Sequence, residues 1–342
     1  LFVIGGDIVR TALAQVINDE SRDVVVGFGF GWAQYAMSSL IPVFSGQRNV
    51  APPPEIRDMQ VMNMTAGHVR TNHSFVLSRL LRDLEKHVDS GSGKVGGLSV
   101  TIVDTMDDPT KKMELMEKFK YRGWPIGHVT MAAQMLLSLK AGGMVPIIFI
   151  LAQILASCTL ELPVWKKEKF AARRGGDDVY ALMRGNGNRH VFIVRTKAPN
   201  SWNLEDMAAA SIHDYDWYNW EGVAAVGLAI GWFVLFALAC SVKDQAGWLL
   251  AVMTIGHIGN LFSAFYPRSP AGHGFHLDMN KKQTIANAKV METLKELEVE
   301  HEGYGEKLLG TFFPGGLWDD DKNWWADRKN KNGGDSNKTV AK

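Results

Sequence analysis

Apolar residues in this chain lie in blocks, and long polar segments separate the blocks. Val24 to Phe44 reads VVVGFGFGWAQYAMSSLIPVF without a single charge. Gly143 to Leu160, Gly222 to Ser241 and Gly247 to Tyr266 are three more uncharged runs. A bilayer core is crossed by a helix of roughly 17–25 mainly apolar residues, so each run predicts a span. Pro125 to Leu139 is shorter, but KAGG at 140–143 joins it to the next run as a helical-hairpin link and makes it a fifth span. VKDQA at 242–246 links the last two runs in the same way. The first residues, LFVIGGDIVRTALAQVI, read as the tail of a truncated span or as an interfacial helix. The pattern predicts an α-helical multi-pass membrane bundle of about five spans, or six if the N-terminal piece also crosses.

The polar segments carry shorter periods. DMQVMNM (58–64) and GLSVTIVD (97–104) read as strands. Between them Leu77, Leu80, Leu81, Leu84 and Val88 recur at helical spacing. Arg79, Arg82, Asp83 and Lys86 fill the remaining face, as on an amphipathic surface helix. VYALMR and HVFIVRT flank a Gly-rich turn, and GFHLDMNKKQTI offers another strand. Ala286 to Phe313 reads as one or two helices, and the Lys-, Asn-, Gly- and Ser-rich residues from Arg328 onward as a disordered tail. No polar segment makes a comfortable domain by itself. The economical inference is a cytosolic α+β domain built from discontinuous segments. The chain then divides into an N-terminal piece (1–23), a span (24–45), an α/β segment (46–123) and two spans (124–140, 143–162). A hairpin-bearing segment (163–219), two spans (221–241, 246–266), a C-terminal α+β segment (267–327) and the tail (328–342) follow.

Charge sets the orientation and removes some functions. Lys and Arg total 37 against 36 Asp and Glu, a net charge of +1, so no basic face calls for a nucleic-acid partner. WKKEKFAARR at 165–174 follows the third span directly, and a basic cluster there marks the cytosolic side. The glycosylation tripeptides at Asn63, Asn72 and Asn337 point the other way, but so short a pattern arises readily by chance. Cys158 and Cys240 both lie in apolar runs, which suits neither a disulfide framework nor a zinc finger.

Candidate chemistry is sparse. In RGNGNRHVFIV, Asn-Gly pairs favour a hairpin turn because both residue types tolerate positive φ. The stretch has no P-loop Lys-Ser/Thr and lacks the third Gly of a dinucleotide fingerprint. Arg184, Asn186, Asn188 and Arg189 remain a candidate anion or lipid-headgroup site, since turn amides between two arginines can form a nest. Within the apolar blocks His128, Gln153, His257 and Asn260 are polar, and Asp7 and Arg10 lie three apart on one face of the N-terminal helix. Such residues line transport pathways or bond neighbouring helices together, and the second use is favoured. His273 and His276 form an H-x-x-H without a strong third ligand, so no metal is expected. No nucleophile motif, cofactor motif or catalytic set stands out.

The stretches GGDIVRTALAQ, GFGFGWAQYA, NHSFVLSRLLRD, RGNGNRHVFIV, LEDMAAA and TFFPGGL, in this order, resemble a family of fungal multi-pass membrane proteins. The resemblance runs through nearly the whole chain. It implies a membrane protein of fungal origin and supplies no activity, cofactor or catalytic residue. The expectation from sequence is a non-enzymatic protein in contact with the bilayer, whose cytosolic domain binds a protein partner or a lipid headgroup. A transporter or channel is one alternative, and a membrane-bound nucleotide or anion sensor or enzyme is the other.

Overall fold

Alternating apolar residues in three separate stretches build one sheet. In the computed structural model its strands are β1 (Gln60–Asn63), β2 (Val69–Thr71), β3 (Leu98–Asp104), β4 (Val179–Met183), β5 (His190–Arg195) and β6 (Gln283–Asn287). The structure describes residues 5–16, 26–44, 50–89, 96–106, 124–170, 176–196, 202–210 and 220–339. The spatial order is β2-β1-β4-β5-β3-β6. β3 and β5 run parallel, with Val100 opposite Val191 and Ile102 opposite Ile193, and every other pair is antiparallel.

Because side chains alternate across a strand, the two faces of the sheet carry different residues. Phe192, Val194, Tyr180 and Leu182 face α4 (Phe75–Asp89), where Leu77, Leu80, Leu81, Leu84 and Val88 close one core. α8 (Leu204–Ala209), capped by the Asn203 side chain on the Asp206 amide, completes that layer. Val191, Ile193, Leu98 and Val100 face the other way. They pack under α11 (Val290–Glu300), α12 (Tyr304–Phe312) and α13 (Asp319–Thr339) through Leu294, Leu297, Leu308 and Trp325. α13 begins before the Lys-, Asn- and Gly-rich residues and extends to Thr339. Three aspartates at its start suit the positive end of the helix dipole, and Asp321 is tied to Lys295 at 2.7 Å.

The remaining helices form a layer at one end of this α/β body. Two hairpins lie side by side: α5 (Trp124–Ala141) with α6 (Val145–Leu160), and α9 (Trp220–Ser241) with α10 (Ala246–Phe265). Their tips meet where the Met144 amide donates to the Gln245 side chain at 3.3 Å. The opposite ends lead into the sheet. α1 (Gly6–Val16) packs on α10, and α2 (Trp32–Tyr35) continues through a π-helical turn (Ala36–Leu40) into α3 (Ile41–Phe44) against α9. α7 (Val164–Lys169) follows α6 directly.

This arrangement overturns the expected bundle of five or six spans. Among the described residues two helices, α9 and α10, are long and apolar enough to cross a bilayer. The Val24–Phe44 block is broken: residues 26–31 carry no helix, Gly31 sits at φ +91°, and the helix that follows is about 20 Å long. α6 has 16 residues. α5 has 18, but Thr130, Gln134, Ser138 and Lys140 dilute its hydropathy. α1 has 11, most of them buried within the protein. The outer faces of the two hairpins are apolar, with Leu136 70%, Val223 65% and Ile230 58% exposed.

Candidate functional site at the seam between helices and sheet

Where the helical layer meets the sheet, charged side chains are buried. α1 ends here, and the exposed carbonyls of a helix C-terminus attract cations. Lys169, the last residue of α7, donates to the Ala14 carbonyl, and the Arg268 guanidinium donates to that of Gln15. α4 supplies the other wall. Its N-terminus is fixed by Asn72, which accepts from the Ser74 amide at 3.0 Å and donates to the Ser74 carbonyl at 2.8 Å.

Two α4 residues read from sequence as surface charges are in fact buried: Arg79 is 0% and Asp83 5% exposed. Arg79 lies 2.6 Å from Glu55. Asp83 is fully used. One oxygen accepts from Arg82 at 2.8 Å, and the other from the Arg268 amide at 2.9 Å, with the His273 ring nitrogen Nε2 also at 2.9 Å. His273 is held by a 3-10 turn (Pro270–His273) that Ser269 caps.

These environments shift the titrations. Burial pushes the Asp83 carboxyl up, but the His273 hydrogen bond and charge, the Arg268 amide and Arg82 outweigh it and leave Asp83 below its ordinary value. Burial pulls His273 down more than Asp83 pulls it up, and Arg268 and Lys169 add to the drop. Burial, helped by the Arg82 charge, brings Arg79 to about 10. Burial first, and then the Arg268 charge, push Lys169 well below the ordinary lysine range.

Beside this cluster opens a cleft of about 460 Å³, lined by Arg10, Ala51, Pro52, Pro53, Pro54, His73, Ser74, Phe75, Val76, Glu168, Lys169 and Ala210. The 50–54 rim is clamped at its start. Glu168 accepts from the amides of Val50 (3.2 Å) and Ala51 (2.7 Å), while Arg10 donates to the carbonyls of the same two residues. The three prolines that follow have no amide hydrogen to satisfy. Ala210 sits at φ +46°, the one non-glycine residue with positive φ among the described residues. A left-handed alanine costs on the order of 1–2 kcal/mol, and such strain concentrates at functional positions.

The residues singled out from sequence fall in three places. Arg10 enters the cleft wall, and its sequence neighbour Asp7 is exposed. Arg184 is held by Glu85 of α4 at 2.9 Å, while Asn186, Asn188 and Arg189 are exposed on the β4–β5 turn, where Gly185 and Gly187 have φ of +85° and +92°. His128, Gln153, His257 and Asn260 lie in the helical layer, on α5, α6 and α10. Asn260 both donates to and accepts from the backbone of Gly27 at 2.9 Å, as a neighbouring strand would. The His257 ring packs against Phe30, with centroids 5.5 Å apart. Gln134 donates to the carbonyls of Phe28 (2.6 Å) and Val252 (2.7 Å).

Sequence reasoning missed Asp83, His273, Glu168, Arg268 and the individual role of Lys169. One signal was present: Arg79 and Asp83 are four apart, so they share a single stripe of α4. No family model, curated protein or solved structure matches this chain.

Proposed function

We propose that this is a membrane-associated binding protein, with its helical layer in a bilayer, its α/β body on the cytosolic side, and its seam cleft holding the polar head of an amphiphilic ligand. The carrying observation is the position of the cleft. It forms where α1, α6 with α7, and α10 with Arg268 leave the apolar layer, the level at which headgroups lie. Its lining mixes prolines, Phe75 and Val76 with Arg10, Glu168, His73 and Lys169, as a lipid head joined to an acyl chain requires. The exposed apolar belt supports insertion, because contiguous patches of that kind mark membrane or partner surfaces. Lys166 and Lys167 at the sheet end support the orientation. So do two of the glycosylation tripeptides: Asn63 accepts from the amides of Thr65 (2.8 Å) and Ala66 (3.0 Å), and Asn72 is buried.

The transporter alternative finds less support. Asn260 and Gln134 serve the backbone of the layer itself. A cavity between Phe28, Trp32, Trp232 and Met253 holds about 20 Å³, room for roughly one water.

The test is hydrogen exchange on the detergent-purified chain, titrated with short-chain phosphatidylcholine and phosphatidic acid. Protection centred on the amides of 73–76, saturating with one of these lipids, supports the proposal. Intact protein with no protection there from either lipid ends it.

A further inference from the structure

Lys169 is the unusual group in the cleft. A lysine normally holds its ammonium in water, yet this one lies in the cleft wall and is only 5% exposed. Its amine donates to the Ala14 carbonyl and lies 5.3 Å from the Phe170 ring centroid. Charge surrounds it unevenly. Arg268 and His273 follow α10, Arg10 comes from α1, Asp83 from α4, and Glu168 precedes it on α7. Glu168 is held by the amides of 50 and 51, and Asp83 by Arg82, His273 and the Arg268 amide. A desolvated lysine beside a second cation is the setting in which an amine stays neutral and nucleophilic near pH 7, and the direction of the Lys169 shift agrees.

We infer that Lys169 is a nucleophilic amine that condenses with the carbonyl of an amphiphilic aldehyde or ketone seated in the cleft. The inference rests on the reading of the cleft as a ligand site. The nitrogen lone pair attacks the carbonyl carbon, a C–N bond forms, and the C=O π pair moves to oxygen, which takes up a proton. The resulting carbinolamine expels its oxygen as water while the C=N bond closes, so one amine and one carbonyl give one imine and one water. Glu168 and His73 line the same cleft and supply groups able to carry the proton from nitrogen to the departing oxygen. Pro52–Pro54, Phe75 and Val76 provide the apolar wall for the chain attached to the carbonyl.

The experiment uses the full chain in detergent micelles and two probes, each trapped with cyanoborohydride and mapped by peptide mass spectrometry. Formaldehyde reads the amine alone, and dodecanal reads the amine together with the apolar wall. The internal references are Lys281 and Lys289, which are 86% and 77% exposed. At pH 7 Lys169 is expected to be methylated on the order of tenfold faster than these, because a lowered pKa raises the neutral fraction. Dodecanal is expected to give its dominant adduct at Lys169, and Lys169→Arg to abolish that adduct.

The inference is overturned if Lys169 stays unmodified by formaldehyde while Lys281 reacts, or if it needs as alkaline a pH as Lys281. The wild-type readout does not depend on the variant folding. Failure of the cleft reading looks different: short-chain lipid leaves 73–76 unprotected and dodecanal loses its preference, while formaldehyde still favours Lys169.

Discussion

The helical layer and the α/β body differ in what they leave at their surfaces, although both bury apolar residues inside. In the body, Phe192, Ile193 and Leu297 are buried between layers, and polar residues such as Arg70 and Gln283 line the sheet edges. In the hairpins of the layer, Leu136, Val223 and Ile230 face outward, while Gly256, Gly259, Asn260 and Gln134 face inward. Apolar burial holds the body together. The layer has an apolar core as well, with Leu13, Leu40, Ile148 and Trp232 buried together, and adds to it close backbone approach and side-chain hydrogen bonds to non-helical backbone.

The largest expected effect follows from that close approach. A Cβ on Gly256 would lie 2.0 Å from the Phe28 carbonyl oxygen, and neither backbone can yield. Gly256→Leu should cost more than about 4 kcal/mol and leave no folded layer, seen as loss of the monodisperse purified chain. Normal yield and melting would show that the layer is loosely packed. The matching change in the body is Phe192→Ala, fully buried on β5. It should cost about 3–5 kcal/mol, measured as a drop in the denaturation midpoint. Leu136→Ala removes similar apolar volume from a residue 70% exposed, and it should move stability in detergent by less than about 0.5 kcal/mol. Equal losses at Leu136 and Phe192 would break the comparison.

The same contrast explains what sequence could disclose. Strands β3, β4 and β5 were legible because GLSVTIVD, VYALMR and HVFIVRT are β-branched and apolar, bounded by glycine. α4 was legible from its leucine spacing. The layer was not read correctly, because composition counts apolar residues without saying whether the backbone between them is helical. GFGFGW looks like part of a span, yet its glycines at 27 and 29 let an extended chain cross α10 at Gly256 and His257. The seam was hidden for another reason. Its charges come from four distant stretches, and each alone reads as a solvated face or a basic flank. Arg79 and Asp83 are buried only because α1 and the residues after α10 cover them.

A smaller effect tests the seam itself. Lys169 in the unfolded chain keeps its proton up to about its ordinary 10.5, and the folded chain releases it well below that. Between those values the unfolded state binds more protons, so stability rises with pH there. It is complete above 10.5 and is lost as pH falls toward the folded value. His273, lowered from 6.5, acts in the same direction at lower pH, with stability lost as pH falls below 6.5. Asp83, lowered from 3.8, adds its loss only in strong acid. The denaturation midpoint should therefore climb from pH 5 to pH 9, and Lys169→Met should flatten the upper part of that climb. A midpoint that peaks near pH 6 and falls above it contradicts the buried amine.

The smallest effect belongs to the turn that looks richest in sequence. Arg184 is two-pronged on Glu85, with side chains 32% and 14% exposed. Partly exposed ion pairs contribute about 0–1 kcal/mol, and water compensates much of what is removed. Arg184→Ala should thus lower the denaturation midpoint by an amount equivalent to less than about 1 kcal/mol. Adding Arg189→Ala should change little more, because Arg189 is exposed on the turn. The glycines at 185 and 187 carry the positive φ that the turn requires, so its shape does not depend on either arginine. The double variant should also keep the short-chain lipid protection at 73–76. If it instead abolishes that protection while the chain stays folded, the anion site lies at the hairpin rather than at the seam, and the contrast drawn between the two regions loses its functional half.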